Sequence, residues 1–308
     1  MVIGVIGGYM KALIIINPAA GKTKRRSPVE TIRRTLRLHG YECDAAMTHG
    51  ASDAESYARK RAGSYQLLVC SGGDGTLSET VNGLIDVENR PPIIYLPAGT
   101  TNDFAKSLGL SKDLNRSLSD AFNGTKRKLD VGRMNGRCFI YVASFGFLSE
   151  SSYKTPAALK HRIGRLAYIL EGLREIPFTK SYKMKVYDGE KLISEGEYVY
   201  GSVSNSTLIG GLLHFGSGVV DLSDGLHEVL LVKKPKSLAK FAKILKHLGN
   251  MDTGVEGVEL YHLSRVRFEC EAEIQWSLDG ERCPLSTEFE IENIPSAAEF
   301  FLPDKSSR

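Results

Sequence analysis

Apolar positions follow two different rhythms along the chain. From Lys11 to about Leu129, short all-apolar runs such as Ala12-Leu13-Ile14-Ile15-Ile16 and Leu67-Leu68-Val69-Cys70 alternate with stretches of helical spacing over 28–39 and 76–84. A strand that is apolar on both faces is covered on both faces, and strands separated by helices build a parallel sheet. The pattern predicts an N-terminal doubly wound parallel α/β domain over residues 10–129. Beyond Asp130 the rhythm shortens: Val266, Phe268 and Cys270 fall on one side of a run whose other side is Arg265, Arg267 and Glu269. That is the period of a half-exposed antiparallel strand. Lys183-Met184-Lys185-Val186 leads into Asp188-Gly189, a strong hairpin signal. Residues 130–295 therefore read as a C-terminal antiparallel β-rich domain, interrupted by helices near 157–174 and 237–248. The tail over 296–308 is expected to pack back on the first domain.

Composition narrows the class. At 308 residues, 42% hydrophobic and 25% charged, the chain is an ordinary globular protein with room for two cores. A net charge of +4 is too mild to imply a nucleic-acid partner. Five cysteines, an odd number without a C-x-x-C pair, fit a reduced, cytoplasmic setting. No apolar run approaches the roughly 20 residues that a membrane-crossing helix needs. Residues 1–9 lack the basic flank and cleavage site of a signal peptide. Ile6-Gly7-Gly8-Tyr9-Met10 can be encoded by a ribosome-binding sequence followed by AUG, so Met10 is the expected start and residues 1–9 a mis-assigned start, the alternative being a short extension.

Candidate chemistry sits at strand ends. Ser71-Gly72-Gly73-Asp74-Gly75-Thr76 follows a buried strand and opens a helix, where a doubly wound sheet presents backbone N–H groups to a phosphate. A glycine-rich turn alone also serves as a plain turn. Neither common nucleotide fingerprint applies: Ser78 replaces the third Gly of G-x-G-x-x-G, and Ile16 stands where Gly21-Lys22-Thr23 would need the first Gly of a Walker A loop. Two more such loops, Asn17-Pro18-Ala19-Ala20-Gly21-Lys22 and Leu96-Pro97-Ala98-Gly99-Thr100-Thr101-Asn102-Asp103, end other strands. In a parallel sheet the three lie on one edge and can meet at one ligand.

These loops together resemble the diacylglycerol kinase catalytic-domain family, particularly the bacterial soluble lipid kinases. The resemblance continues through Ala143-Ser144-Phe145-Gly146-Phe147, Gly164-Arg165-Leu166-Ala167-Tyr168, Gly210-Gly211, Asp221-x-x-Asp224-Gly225 and Leu278-Asp279-Gly280-Glu281, covering essentially the whole chain from Lys11. It implies an ATP- and Mg²⁺-dependent lipid kinase, with diacylglycerol as the leading acceptor and the active site in the cleft between the domains. ATP would lie on Asn17, Pro18, Gly21, Lys22, Gly72, Gly73, Asp74, Gly75, Thr76 and Glu79. Thr48, Gly99, Thr100, Asn102 and Asp103 would make further contacts. A carboxylate among phosphate-binding glycines repels the anion unless a cation lies between, so Asp74 would hold active-site Mg²⁺. The other reading of Asp74 is a helix N-cap.

The resemblance places the proton acceptor in Asp279-Gly280-Glu281. Glu281 is the expected base and Asp279 its assistant, with the reverse assignment open. Two residues apart, the carboxylates are expected to point the same way; the plain alternative is that Asp279-Gly280 is merely a turn. A structural Mg²⁺ is implied at Asp221, Asp224 and the Leu226 carbonyl, although Ser223 and Glu228 stand where relatives often have Asp, and a solvated turn remains the alternative. Ser78, where relatives usually have Asn, is a further departure.

The helix near 237–248 gathers Leu238, Phe241, Ile244, Leu245 and Leu248 on one face, with Lys236, Lys240, Lys243 and Lys246 on the other. Such a helix either meets an anionic membrane surface peripherally or packs its apolar face on its own domain. Lys160, His161, Arg162 and Arg165 add to the basic character. A membrane lipid substrate and a homodimer complete the expected partners. The competing readings are an NAD kinase, which shares the Gly-Gly-Asp-Gly-Thr loop, a kinase for another lipid such as phosphatidylglycerol, monoacylglycerol or a sphingoid base, and a catalytically silent binding module. Seven histidines show no H-E-x-x-H spacing and suggest no triad.

Overall fold

The computed structural model describes residues 10–20, 28–146, 180–205, 208–209, 213–214, 221–249 and 253–304. They divide into two compact units: one holds the residues up to Leu129 and those from Ala297 on, the other Asp130–Ser296. The expected helix at 157–174 and the Gly210-Gly211 motif lie outside the described residues.

The first unit is built on β1 (Met10–Ile16), β2 (Tyr41–Met47), β3 (Leu67–Gly72) and β4 (Ile93–Pro97). β1 pairs in parallel with both β2 and β3, and β3 with β4, giving the order 2-1-3-4. Phe300 of the last strand lies opposite Ile93 on the far side of β4. Five described helices accompany this sheet: α1 (Pro28–Leu38), α2 (Asp53–Arg61), α3 (Asp74–Leu84), the short α4 (Asp103–Leu108) and α5 (Leu114–Asn123). β1 from Ala12 on, β3 and β4 are buried on both faces, whereas the edge strand β2 carries exposed Glu42 and Asp44. Ala12, Ile14 and Ile16 pack in one core with Val29, Ile32 and Leu36 of α1 and Leu118 and Ala121 of α5, while Leu13 and Ile15 are equally buried on the reverse face. Each large side chain so buried contributes roughly 1.5–3 kcal/mol.

The second unit is antiparallel. Its strands are the later part of β5 (Thr125–Met134), β6 (Arg137–Phe139), β7 (Val142–Gly146), β8 (Tyr182–Asp188) and β9 (Lys191–Ser204). A small pair, β10 (Leu208–Ile209) and β11 (Leu213–His214), precedes β12 (His227–Lys233), β13 (Val258–Leu263) and β14 (Arg265–Ile274). β15 (Ser277–Leu278), β16 (Glu281–Arg282) and β17 (Ser286–Leu302) close the chain. Trp276 anchors the core, its ring 4.9 Å from Phe145, 5.0 Å from Phe268 and 5.2 Å from Phe289 between centroids. The β8–β9 hairpin turns on Gly189-Glu190, since Asp188 pairs with Lys191 and only Gly189 of the two has positive φ. Glycine at the first central position suits a type II′ turn.

Helix α6 (Leu238–Gly249) buries Phe241, Ile244, Leu245 and Leu248 and exposes Lys240, Lys243 and Lys246. Its apolar face is thus spent within the chain, and only its charged face is left for an external surface. Among the described residues no helix is long and apolar enough to cross a membrane.

Candidate active site

The sheet order of the first unit reverses between β1 and β3, and ligands of doubly wound sheets bind beyond the strand carboxyl ends at such a point. Asn17 follows β1 there, and its side-chain amide donates to Thr76 Oγ1 at 3.1 Å, tying the first loop to the second. Asn17 Oδ1 also accepts the Ala19 N–H, which shapes the turn itself. The second and third loops touch backbone to backbone: a β-carbon on Gly99 would lie 2.7 Å from the Gly73 Cα and 2.7 Å from Asn102 Oδ1. Asn102 has φ 50, donates to the Gly99 carbonyl at 2.7 Å, and keeps its buried Oδ1 without a partner. All three loops therefore meet at one edge.

Asp74 does not cap its own helix; Gly73 is the N-cap of α3, and Asp74 is its first helical residue. Its Oδ2 instead accepts the Asp103 N–H at 2.8 Å, at the start of α4. The capping reading is realised on a different helix. Tyr95 Oη approaches Asp74 Oδ1 at 3.4 Å. Burial pushes the Asp74 carboxyl above the usual Asp range, the nearby Asp103 charge adds to the rise, and the N–H groups of Asp103 and Phe104 oppose it.

Glu79 departs from expectation. Its two oxygens accept the Ser52 and Ala54 N–H groups at 2.9 and 3.2 Å, so it caps α2 and holds Ser52 in the left-handed region at φ 67. A carboxylate so engaged supports the loop after β2. Thr48 is buried at that loop's start, its N–H bonded to the Ile16 carbonyl at 2.8 Å. Thr100 is exposed, and its carbonyl accepts from Lys112 Nζ. Pro18 is exposed beside Asn17, Gly72 and Thr76 are buried, and Gly75 is half-buried. Asp103 pairs with Lys106 at 2.7 Å. Gly21 and Lys22 lie outside the described residues.

In the second unit, Leu278 pairs with Glu281, and Asp279-Gly280 form the turn with φ 48 and 91. Two positive φ values mark a type I′ turn, for which Asp-Gly is favoured. The Asp279 carboxylate accepts the N–H groups of Ile140, Tyr141 and Val142 at 2.9, 2.9 and 3.0 Å. Glu281 is exposed and pairs with Arg137 at 2.6 Å. The expectation that both carboxylates point the same way is corrected to this: both are held by residues 137–142, but Asp279 by the backbone of 140–142 and Glu281 by a single side chain. At least three of the roughly four lone-pair sites of Asp279 are taken, whereas Glu281 is exposed to solvent.

In the Asp221–Leu226 turn, Asp221 Oδ1 accepts from the Ser223 N–H and hydroxyl, and Asp224 Oδ1 from the Leu226 N–H. The Leu226 carbonyl accepts from Asn293 at 3.2 Å. Among the described residues no three acidic, His or Cys side chains are grouped as a metal would need.

The sequence of residues 11–134 matches the model of the diacylglycerol kinase catalytic domain. A diacylglycerol kinase of Bacillus subtilis (strain 168) is 32% identical over 279 residues, which span 88% of this chain and 89% of that one. The chain belongs to the diacylglycerol kinase family. A Staphylococcus aureus (strain JH9) diacylglycerol kinase is 33% identical over 278 residues, 88% of this chain and 86% of that one. A crystal structure of a diacylglycerol kinase from Bacillus anthracis str. Sterne superposes with a TM-score of 0.75 at 20% identity, covering 98% of this chain and all of that one. An NAD kinase from Archaeoglobus fulgidus in complex with ATP reaches 0.54 at 15% identity over 96% and 95% of the two chains, which shows a shared fold. The two-domain plan of an α/β unit followed by a β-rich one is thus that of the diacylglycerol kinase family and of its NAD kinase relatives in fold.

One residue of this diacylglycerol kinase family member escaped the sequence reading. Asp130 is 2% exposed, and its carboxylate accepts the Gly225 and Ser296 N–H groups, each at 2.7 Å. Its own N–H bonds the Leu222 carbonyl at 2.9 Å, and its carbonyl accepts from Asn205 at 2.7 Å. It fixes the acidic turn from outside. The signal available was an acid set in the apolar run Leu129-Asp130-Val131, a local inconsistency of the kind that marks special sites.

Proposed function

We propose that the protein transfers the γ-phosphoryl group of ATP to a lipid hydroxyl, with diacylglycerol the first acceptor and phosphatidic acid the product. The observation that carries this reading is the meeting of three strand-end loops at the β1/β3 reversal, through the Asn17–Thr76 bond and the Gly73–Gly99 contact, in a chain of a lipid-kinase family. Phosphoryl transfer needs positioning, charge neutralisation and a group that takes the acceptor proton. In this reading the backbone N–H groups near Gly73 and Gly99 hold the phosphates. Glu281 is the base, because its carboxylate is exposed and turned only to Arg137. Asp279 assists by fixing the 140–142 backbone against the hairpin.

Mg²⁺ fits at Asp74, a partly buried carboxylate whose partners among the described residues are N–H and O–H groups, while the neighbouring Asp103 is paired with Lys106. Bound there, the metal would neutralise charge on the transferred phosphoryl group. Among the described residues the Asp221–Leu226 turn leaves Oδ2 of both Asp221 and Asp224 without a hydrogen bond, and it suits Mg²⁺ only with water completing the coordination. The outward lysines of α6 and Lys236 draw the protein to anionic membrane from a cytoplasmic location, each contributing about 1 kcal/mol. A homodimer belongs to the same reading.

The test is labelled ATP with a total lipid extract, followed by identification of the product, and NAD as a parallel acceptor. Labelled phosphatidic acid supports the reading. Phosphorylation of NAD alone, or ATP binding with no labelled lipid, rejects it.

A further inference from the structure

A buried face of the second unit's sheet carries hydroxyl and carboxylate side chains where apolar ones are expected. Ser277 of β15 lies opposite Ser144 of β7, which lies opposite Ser202 of β9; two residues along, Ser204 of β9 lies opposite Glu228 of β12. Directly paired residues share one face of a sheet. The reverse face is the apolar core, with Ala143, Val203, Val229 and Leu278. The five polar residues are nonetheless 7, 8, 0, 0 and 1% exposed. Among the described residues, both Glu228 oxygens and the Ser204 hydroxyl have no hydrogen-bond partner. His262, opposite Glu228 on β13, brings Nδ1 only to 3.8 Å.

A fold does not gain by burying an acid in this way. An unpaired carboxylate inside a protein is costly, so such groups mark places where something else supplies the missing donors. The row also runs to Ser277, two residues before Asp279 in the hairpin proposed to take the acceptor proton. Carboxyl and hydroxyl groups together hold hydroxyl groups, which both donate and accept.

We infer that Glu228 and Ser204, with the serine row leading to them, form a headgroup subsite for hydroxyls of the acceptor that are not phosphorylated. The inference rests on the lipid-kinase reading and deepens it. The acceptors are neutral glycerolipids, and those with a second free hydroxyl, such as monoacylglycerol, gain a hold that diacylglycerol lacks. Glu228 is here a specificity-determining residue.

The experiment measures kcat/KM of the full chain for 1-monooleoylglycerol and 1,2-dioleoylglycerol in mixed micelles, for the parent, Glu228→Leu and Glu228→Gln. Loss of one hydrogen bond corresponds to a change of up to about tenfold. Glu228→Leu should lower the monoacylglycerol to diacylglycerol ratio about tenfold, and Glu228→Gln, which keeps an acceptor oxygen, by less. Without ligand, both variants should melt at or above the parent temperature, because a buried carboxyl with no hydrogen-bond partner among the described residues is replaced. An unchanged ratio, or a fall in melting temperature for Glu228→Gln, would overturn the subsite while leaving the lipid kinase intact. If the parent phosphorylates neither lipid, the lipid-kinase reading fails and the subsite fails with it.

Discussion

The Asp74 carboxylate accepts the Asp103 N–H at 2.8 Å, so the first residue of α3 fixes the start of α4 and locks the second loop to the third. Because burial raises its folded pKa, the native state holds the proton more tightly than the unfolded chain. Its contribution is therefore most favourable below the unfolded Asp range and is lost as pH rises through the folded value. Asp74→Asn keeps an acceptor for Asp103 without the charge. In the absence of metal and nucleotide it should melt above the parent at pH 7, with the gap closing toward pH 4, while kinase activity falls and added Mg²⁺ does not restore it. A variant that melts lower at pH 7 would show that the charge is already compensated.

Gly99→Ala adds a methyl group where 2.7 Å separates it from both Gly73 Cα and Asn102 Oδ1. Backbone cannot yield as a flexible side chain does, so the expected cost is about 1–3 kcal/mol of stability. ATP affinity should fall with it, measured by calorimetry. Gly73→Val should also abolish ATP binding rather than slow turnover.

Glu79→Ala removes the acceptor for two N–H groups at the start of α2. A lost cap costs about 0.5–2 kcal/mol. Thermal melting should register that loss, and KM for ATP should rise modestly with kcat little changed. A collapse of kcat at unaltered stability would return Glu79 to the nucleotide.

Glu281→Gln should leave melting and ATP affinity close to the parent and lower kcat by about 10²–10⁴-fold. Asp279→Ala should do something different. It strips the acceptor from three backbone N–H groups, and each that stays buried and unpaired costs about 1–3 kcal/mol. Parallel melting and turnover measurements separate the two, and normal turnover in Glu281→Gln would move the base to Asp279.

Replacing Lys236, Lys240, Lys243 and Lys246 with Gln should weaken sedimentation with anionic vesicles at low salt and reduce turnover on vesicle-embedded lipid. The attraction fades within a Debye length of roughly 8–10 Å, so moderate salt should erase the difference. Since the apolar face of α6 is buried, melting should barely change. Vesicle binding equal to that of the parent across salt would assign the membrane contact to another surface.

The sequence by itself determined the elements and their order. All-apolar runs at strand length set the parallel sheet, alternation set the antiparallel one, and Gly-Gly-Asp-Gly-Thr after a buried strand placed a loop where β3 meets α3. These are local properties, because backbone periodicity is written in neighbouring residues. Tertiary structure decided where each carboxylate points. Asp74 finds its donor 29 residues away, Glu79 finds its two 27 and 25 residues back, and Asp279 turns to donors 137–139 residues before it. Spacing in the chain placed Asp279 and Glu281 together, yet one is bound to backbone and the other to Arg137. A side-chain acid takes whichever donors packing brings near it, and those donors are set by how distant strands and loops meet rather than by the residues beside it.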